Sequence, residues 1–330
     1  MYKIDYSYMK NEFSGDRNYK IEFLNKVVTV GYTEKSALQA IALFKHAKDL
    51  EDMYGKDIYD FDISELEALL MSCSSPSVTS LQAIKSIMDK YLLNAVDEKK
   101  SKFSVSPTLS IRRNRLKELI FKDAQYNRLC TKKEFYDAVN TIANYQDKAL
   151  LICIWHGFYN KGYQMIRDAK ENSVNFDNNT ITMINAETGE EITKQLSNED
   201  MMIFKLALKE ESYIKSLENE YYYFDTEYLF KSFDFGRRRD REDFRIGQQS
   251  IRDKIRKFQK DTGLVFATGV TIKLSGDIYR LLEEYGYDRE YSQQDTAEYI
   301  KTNGLAYNNV NFYDNLQVLQ KKYQKELLLV

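Results

Sequence analysis

Positively charged residues gather in one stretch of the chain, between residues 235 and 286. Its first half supplies most of the cations: Arg237, Arg238, Arg239, Arg241, Arg245, Arg252, Lys254, Arg256, Lys257 and Lys260. Ile251, Ile255 and Phe258 recur there at helical spacing, which predicts a basic amphipathic helix after an arginine-rich loop. Because the whole chain has a net charge of −2, such a patch indicates a surface that binds a polyanion. A solvated helix face is the alternative interpretation.

A second basic cluster consists of Arg112, Arg113 and Arg115. It follows a stretch of lysine, serine and threonine that includes Pro107, the kind of composition found in linkers between domains. Arginine pairs with phosphate through two parallel hydrogen bonds, so a linker that crosses nucleic acid is well served by it. We therefore predict backbone contacts for these three residues, with an ordinary charged surface as the alternative.

A polar set opens the clearest helix of the first half, which spans residues 78 to 96. Its members are Thr79, Ser80, Gln82 and Lys85, which are predicted to lie largely off the apolar stripe. If this helix enters the major groove of DNA, these side chains can contact base edges, and glutamine is suited to adenine. A capped surface helix explains each of them equally well.

Several functional classes find no support in the residues. Cys73, Cys130 and Cys153 are far apart and lack a CxxC spacing, which argues against a disulfide framework and a zinc site. Neither a cluster of metal-ligating residues nor a phosphate-cradling glycine loop occurs in the sequence, so we expect neither a metal nor a cofactor. The strongest apolar stretch, residues 149 to 155, is too short to span a bilayer, and no signal peptide precedes it. A soluble, cytoplasmic protein is expected.

The length of 330 residues corresponds to about two domains. Only 2 prolines and 13 glycines occur, which favours a mostly α-helical fold. We predict a helical domain over residues 1–100, a linker over 101–115 and a second domain over 116–330. Residues 1–19 are predicted to form a loosely held arm.

Short sequence patterns predict where individual helices and strands begin. Asp62 with Glu65, and Thr131 with Glu134, have the spacing of capping boxes that begin helices. Residues 174–183 alternate around an Asp-Asn-Asn turn, which predicts a β-hairpin and, with a further short strand, a small β-sheet in the second domain. The segment 213–217 is predicted to extend or follow the helix 201–208. Trp155 and His156 are predicted to be core residues at the end of a buried helix.

This organisation resembles the tyrosine recombinases, or phage integrases, over residues 19 to 313. Residues 78–88 are similar to the DNA-facing helix of that family's SAM-like core-binding domain, and residues 144–157 and 174–183 to the start of its catalytic domain. Residues 230–263 are similar to the segment before the second active-site box. The chain resembles still more the MrpR-type master repressors of SPβ-like prophages, which share the fold without recombining. That closer likeness lies in three stretches, residues 55–61, 79–91 and 275–279.

The resemblance also implies which residues should surround a scissile phosphate, and the chain departs from that pattern. Recombinases use two arginines and a nucleophilic tyrosine. At the first arginine the chain offers only Lys161, which cannot make the bidentate fork, and Glu187 stands at the position of the hairpin lysine. The second box, His-x-x-Arg, is matched by Lys273 and Gly276. Four tyrosines are candidates for the nucleophile by position and none by context: Tyr291, Tyr299, Tyr307 and Tyr313.

Two hypotheses follow from the resemblance, and a third from composition. The first is a repressor of a temperate phage that binds a double-stranded DNA operator, has no catalytic residue, and uses Lys161 and Lys273 for phosphate contact. The second is an active recombinase that uses Lys161, Lys273, Arg280 and a tyrosine such as Tyr313. The third is a helical interaction protein without DNA, motivated by the near-neutral charge. Self-association through the apolar tail 302–330 and release by an antirepressor protein both stay open.

Overall fold

The computed structural model describes residues 6–29, 34–75, 77–216, 219–233, 244–264 and 267–328. Four arginines of the predicted basic loop, Arg237, Arg238, Arg239 and Arg241, lie outside these described residues. The chain divides into two compact units, Met1–Gln125 and Tyr126–Val330. No helix in the described ranges is long and apolar enough to cross a membrane.

The first unit is helical. Its helices are α1 (Arg17–Thr29), α2 (Glu34–Tyr54), α3 (Ile63–Ser72), α4 (Val78–Asp97), α5 (Arg113–Glu118) and the beginning of α6 (Lys122–Asn127). Aromatic rings form the centre of its core, where Tyr91 of α4 lies 4.9 Å from Phe44 and 5.1 Å from Phe23 between ring centroids. The predicted capping box at Asp62 and Glu65 is present at the start of α3. The long predicted helix at residues 78–96 is likewise confirmed.

Two segments outside the main helices pack more closely than their composition indicates. A 3-10 helix, Ser7–Glu12, is anchored by the buried side chains of Tyr6 and Phe13, so the prediction of a loose arm is wrong for the described part of that segment. Ile111 and Leu116 belong to the core of the first unit. The predicted linker 101–115 therefore lies within this unit, and the division falls ten residues beyond the predicted start of the second domain. The apolar side chains on either side of the arginines account for the difference, because they pack into the core of the first unit.

The second unit combines helices with two small sheets. Its helices are α7 (Lys132–Asn140), α8 (Tyr145–Trp155), α9 (Gln164–Asp168), α10 (Asn198–Lys209), α11 (Gln248–Thr262), α12 (Gly269–Tyr285), α13 (Gln293–Thr302) and α14 (Asn309–Leu327). An antiparallel sheet of order β1-β2-β3 is formed by β1 (Val174–Asn175), β2 (Thr180–Asn185) and β3 (Glu190–Gln195). The predicted hairpin, third strand and capping box at Thr131 and Glu134 are confirmed.

The segment after α10 is a strand and not the predicted helix. β4 (Ser212–Ser216) pairs with β5 (Asn219–Tyr222) in an antiparallel ribbon. The buried amide of Asn144 exchanges two hydrogen bonds with the backbone of Ile214, at 2.8 and 2.9 Å, as a neighbouring strand would. Tyr213 stacks on Phe233 at 4.6 Å on one face, while Ile214 is exposed on the other. This side-chain alternation with period two favours the strand.

Helix α8 is buried along its whole length, as predicted, and it meets α12 at very short range. Trp155 at its end is 1% exposed and stacks on Phe135 at 4.5 Å, which confirms its assignment to the core. A Cβ atom added to Gly276 of α12 would lie 2.0 Å from the carbonyl oxygen of Trp155. The two helices can therefore approach this closely only because residue 276 has no side chain.

We predict that Gly276→Ala destabilises the second unit by about 3 kcal/mol, since its methyl group must displace backbone. Gly189→Ala is the matched control, because a Cβ atom there meets nothing within 4 Å and only its positive φ of 72° is strained, by about 1 kcal/mol. Denaturant unfolding of both variants measures the difference. Equal losses would contradict the close-approach explanation.

A buried ionic cluster holds the core of the first unit. Lys20 is fully buried and its Nζ donates to Glu51 at 2.6 Å, to the carbonyl oxygen of Ser14 at 2.8 Å and to Asp57. Tyr91 donates to the same aspartate at 3.0 Å. Burial raises the pKa of Glu51 to about 7, against the opposing charge of Lys20. Glu51 therefore takes up a proton on folding over part of the pH range below 7.

A specific pH dependence follows. Because the pKa of Glu51 is raised above its unfolded value, the native state binds more protons between about pH 4.5 and 7, so this stabilisation is lost as the pH rises through that window. We expect Glu51→Gln to gain several degrees of melting temperature relative to the wild type between pH 5 and pH 8. Glu12→Gln, an exposed residue of the same unit, should show no such gain. Parallel melting profiles for wild type and Glu51→Gln would contradict the prediction.

Candidate functional site

One face of α12 carries three charged side chains, Lys273, Asp277 and Arg280. The helix begins after Thr268, whose side chain accepts from the backbone N–H of Thr271 in a capping box. Spacings of four and three residues place the three charges on the same side of the helix. Their exposed side-chain fractions are 15%, 4% and 28%, so the aspartate lies at the buried centre of the group.

The carboxylate of Asp277 receives hydrogen bonds from three side chains. Its Oδ2 accepts from Lys273 Nζ at 2.9 Å and from the hydroxyl of Tyr307 at 2.6 Å. Its Oδ1 accepts from the guanidinium of Arg280, which also donates to the carbonyl oxygen of Trp155 at 3.2 Å. Lys273 in turn donates to Tyr307 at 3.0 Å. We call Lys194, Lys273, Asp277, Arg280 and Tyr307 the α12 cluster.

The electrostatics of the cluster favour an ionised aspartate and a neutral tyrosine. Burial by itself would raise the pKa of Asp277, but the charges of Lys273 and Arg280 outweigh it and the pKa lies below its ordinary value. Burial and the adjacent negative charge of Asp277 raise the pKa of Tyr307. The Tyr307 hydroxyl is therefore held in its protonated form as a hydrogen-bond donor to the carboxylate.

A third cation approaches from the small sheet. Lys194 on β3 is half-buried, and burial lowers its pKa. The positive charge of Arg280 acts in the same direction and the negative charge of Asp277 opposes it. Among the residues that the structure describes it forms no ion pair within 4.0 Å. The cluster thus contains three cationic side chains and one carboxylate.

The structure distinguishes the candidate tyrosines. The hydroxyl of Tyr307 meets the charged side chains of the cluster, whereas those of Tyr291 and Tyr299 donate to backbone carbonyl oxygens, at 2.7 and 3.3 Å. The hypothesis of an active recombinase takes Tyr313 as its example of the nucleophile. The structure instead places Tyr307 beside Lys273.

The predicted base-contacting residues on α4 differ in exposure. Thr79 and Ser80 are exposed and Gln82 is half-buried. Lys85 is only 7% exposed and its Nζ pairs with Asp89 at 2.8 Å, so its predicted place off the apolar stripe is wrong. Its long aliphatic stem packs with the core side of α4 while its charge is neutralised within the helix.

The second basic cluster is exposed, but one member is engaged. Arg112 and Arg113, at the start of α5, face solvent. Arg115 forms a bidentate pair with Glu67, at 2.6 and 2.7 Å, and a further pair with Glu118. A phosphate would have to compete with these carboxylates for its guanidinium.

The predicted basic helix is confirmed as α11, with Ile251, Ile255 and Phe258 buried. Not all of its cations are at the surface. Lys254 is 7% exposed, pairs with the buried Asp147 and lies 4.3 Å from the centroid of the Tyr213 ring.

The remaining predicted phosphate contacts lie around α11 and α12. Arg252 and Lys161 are exposed, and Arg252 is close enough to oppose the burial effect on the pKa of Tyr159. A Cβ atom on Gly269, at the start of α12, would meet Tyr159 at 2.8 Å. Arg245 pairs with Asp168 at 2.6 Å. Lys161, Arg252 and the beginning of α12 therefore belong to one region of the second unit.

Sequence reasoning missed two members of the α12 cluster, Lys194 and Asp277, and it placed Glu187 at the hairpin-lysine position. Glu187 is exposed in the turn between β2 and β3, whereas Lys194 lies farther along β3. Alternation along the strand was a usable signal, since Lys194 shares a face with the core-packed Ile192. The spacing of Lys273, Asp277 and Arg280 was a second one.

The arrangement defines a class of protein. A helical unit precedes a second unit that combines helices with small sheets, which is the order of a core-binding domain followed by a catalytic-type domain. The chain belongs to the MrpR family: residues 15–97 match its N-terminal core-binding domain and residues 129–327 its C-terminal catalytic domain.

Individual proteins resemble the chain more distantly. The SPbeta prophage-derived uncharacterized protein YopR of Bacillus subtilis strain 168 is 24% identical over 311 residues, covering 89% of this chain and 94% of YopR. The crystal structure of XerA recombinase has a TM-score of 0.41 at 12% identity and covers 94% of this chain and 98% of its own. A lambda integrase dimer bound to a COC' core site has a TM-score of 0.45 at 11% identity, with 90% and 95% covered.

Proposed function

We propose that the chain is a sequence-specific double-stranded DNA-binding repressor that maintains the lysogeny of a temperate phage or prophage and does not recombine DNA. The observation that carries this proposal is the α12 cluster, in which Asp277 engages Lys273, Arg280 and Tyr307. Membership in the MrpR family and the prophage origin of YopR support the same assignment.

The cluster opposes strand cleavage in two ways. Cleavage requires cations aimed at the phosphate oxygens where charge develops. Here the carboxylate of Asp277 is already paired with those cations and would repel the phosphate. Cleavage also requires a tyrosine that loses its proton to attack phosphorus. The raised pKa of Tyr307 and its hydrogen bond to Asp277 disfavour that loss.

DNA contact is assigned to cations outside the α12 cluster. Arg112, Arg113, Lys161 and Arg252 are exposed and suited to backbone phosphates, and the arginine-rich loop from Arg237 belongs to the same proposal. Thr79, Ser80 and Gln82 on α4 supply part of the base recognition.

In this function the protein acts in the cytoplasm of a bacterial host. It contacts a second copy of itself and an antirepressor protein. Helix α14 packs its Leu316 and Leu319 into its own unit, while Leu327 and Leu328 at its end are exposed. This exposed end is the proposed site of self-association. Relief of repression is assigned to an antirepressor protein.

A divergent active recombinase is the second candidate, because the Tyr307 hydroxyl lies 3.0 Å from a lysine at the place where a nucleophile would be needed. The two candidates differ in covalent chemistry. A recombinase traps DNA on its tyrosine, whereas a repressor releases intact DNA.

We expect wild-type protein to bind its native flanking DNA tightly and to release all of it when the samples are boiled in SDS. The measurement is a gel of labelled DNA with and without SDS, with Tyr307→Phe in parallel. A covalent band in the wild type that is absent from Tyr307→Phe would establish the recombinase instead. Absence of binding at low salt would favour a helical interaction protein that does not act on DNA.

The salt dependence of DNA affinity distinguishes contacts to the DNA backbone from contacts to the bases. Replacing both Arg112 and Arg113 by alanine should weaken binding to every DNA sequence alike and reduce the slope of log affinity against log salt by about two. Gln82→Ala should reduce the preference for the native site over a scrambled one and leave the slope unchanged. Lys45→Ala, an exposed lysine of the same unit paired with Glu12, is the control that should change neither. An unchanged slope in the double variant would contradict its phosphate contacts.

A further inference from the structure

A pocket on the second unit is lined by tyrosine rings and carboxylates. Its volume is about 460 Å³, within the range of sites that bind ligands, and α7, α12, α14 and the segment after α12 supply its walls. The five residues of the α12 cluster, all within the described ranges, do not line it. We propose that this pocket binds the guanidinium group of an arginine side chain presented by a protein partner. The inference does not depend on the proposed repressor function.

Tyrosine rings form the wall of the pocket. Four of them line it: Tyr136, Tyr279, Tyr287 and Tyr323. The ring centroid of Tyr323 lies 5.1 Å from that of Tyr287 and 6.1 Å from that of Tyr279, so three of the rings form a continuous surface. The face of a tyrosine ring attracts a cation. A guanidinium group suits such a surface better than an ammonium group, because it is planar, stacks on rings and is more weakly hydrated.

Hydrogen bonds of the hydroxyl groups fix the orientation of these rings. Tyr136 donates to the buried carboxylate of Asp200 at 3.0 Å. Tyr323 accepts from the backbone N–H of Lys132 at 2.7 Å, and Tyr279 accepts from the Nζ of the same lysine at 3.0 Å. The rings are therefore ordered before a ligand arrives, which lowers the entropic cost of binding.

Carboxylates outnumber ammonium groups in the pocket. Asp137 is neutralised by Lys133, which lies 2.5 Å away on the same helix. Glu283 and Glu326 each accept a hydrogen bond from a hydroxyl group, and neither forms an ion pair within 4.0 Å with another residue that the structure describes. Two carboxylates are thus available to a cation.

The pocket already holds one cation of the protein itself. The Nζ of Lys132 lies 5.0 Å from the centroid of the Tyr279 ring. The hydrogen bond to Tyr279 raises the pKa of Lys132 against the effect of burial, so the ammonium form is favoured there. One lysine beside two unpaired carboxylates leaves a negative charge for a second cation. A guanidinium group has five N–H donors, enough to engage carboxylates on more than one side.

The shape of the pocket favours a side chain of a partner over a free small molecule. The charged lining residues are exposed at the rim, whereas the rings are half-buried or buried. Sites for free small molecules usually enclose most of the ligand surface. An open site can enclose one side chain while the backbone of the partner lies across the rim.

The test measures binding of short peptides to the full-length protein, by titration with NMR detection of the peptide. Acetyl-Gly-Arg-Gly-amide is compared with acetyl-Gly-citrulline-Gly-amide, in which a neutral urea of the same shape replaces the guanidinium group. We expect the arginine peptide to bind about tenfold more tightly, since the citrulline peptide lacks both the charge and the cation–π attraction. Equal affinities, or no binding of the arginine peptide, would overturn the proposal.

Charge variants locate the binding in this pocket. Glu283→Gln and Glu326→Gln should each weaken binding of the arginine peptide about threefold, and Lys132→Gln should strengthen it, because a competing cation is removed. Glu284→Gln is the matched control, an exposed glutamate of the same helix that does not line the pocket. If Glu284→Gln weakened binding as much as Glu283→Gln, the attraction would be one of overall charge and the assignment to this pocket would be wrong.

Two further comparisons test the rings and the source of the ligand. Tyr287→Leu should weaken binding of the arginine peptide several-fold, whereas Tyr287→Phe, which keeps the ring, should retain it. Equal losses in the two variants would contradict the role of the rings. Agmatine, a free guanidine, should bind more weakly than the arginine peptide. Equal or tighter binding of agmatine would assign the pocket to a small molecule and overturn the protein partner.

Discussion

The second unit depends on the close approach of α8 and α12 at the carbonyl oxygen of Trp155. That oxygen ends a helix and lacks an intrahelical partner. It lies against Gly276, where no Cβ atom would fit, and it accepts a hydrogen bond from Arg280. A cation at a helix C-terminus is also stabilised by the helix dipole. The same contact therefore joins two buried helices and orients the arginine that holds Asp277.

In both units, buried lysines are neutralised by carboxylates of the same unit. Lys20, Lys85, Lys254 and Lys273 are largely buried, and each pairs with an aspartate of its own unit. A buried cation left without such a partner would be strongly destabilising. Much of the positive charge that a composition count assigns to the surface thus belongs to the interior, and the proposed DNA binding must rest on a smaller set of exposed residues such as Arg112 and Arg252.

The overall charge near zero is compatible with the proposed DNA-binding function. What matters to a polyanion is the local field of exposed cations, which decays over about 10 Å at moderate salt. The exposed residues around Lys161, Arg252 and the start of α12 form such a region. By contrast, the α12 cluster directs its cations inward, toward Asp277.

Local patterns in the sequence determined most of the helices, the capping boxes at Asp62 and Thr131, and the hairpin, because each depends on residues a few positions apart. Only the tertiary structure decided what the charged residues do. Whether the charges of Lys85 and Arg115 are already paired depends on Asp89 and Glu67. The strand at Tyr213 depends on Asn144, nearly 70 residues earlier. The α12 cluster brings together β3, α12 and Tyr307, whose separations along the chain leave no periodic signal. Partner choice for a charge is settled by burial and distance, which a sequence pattern does not contain.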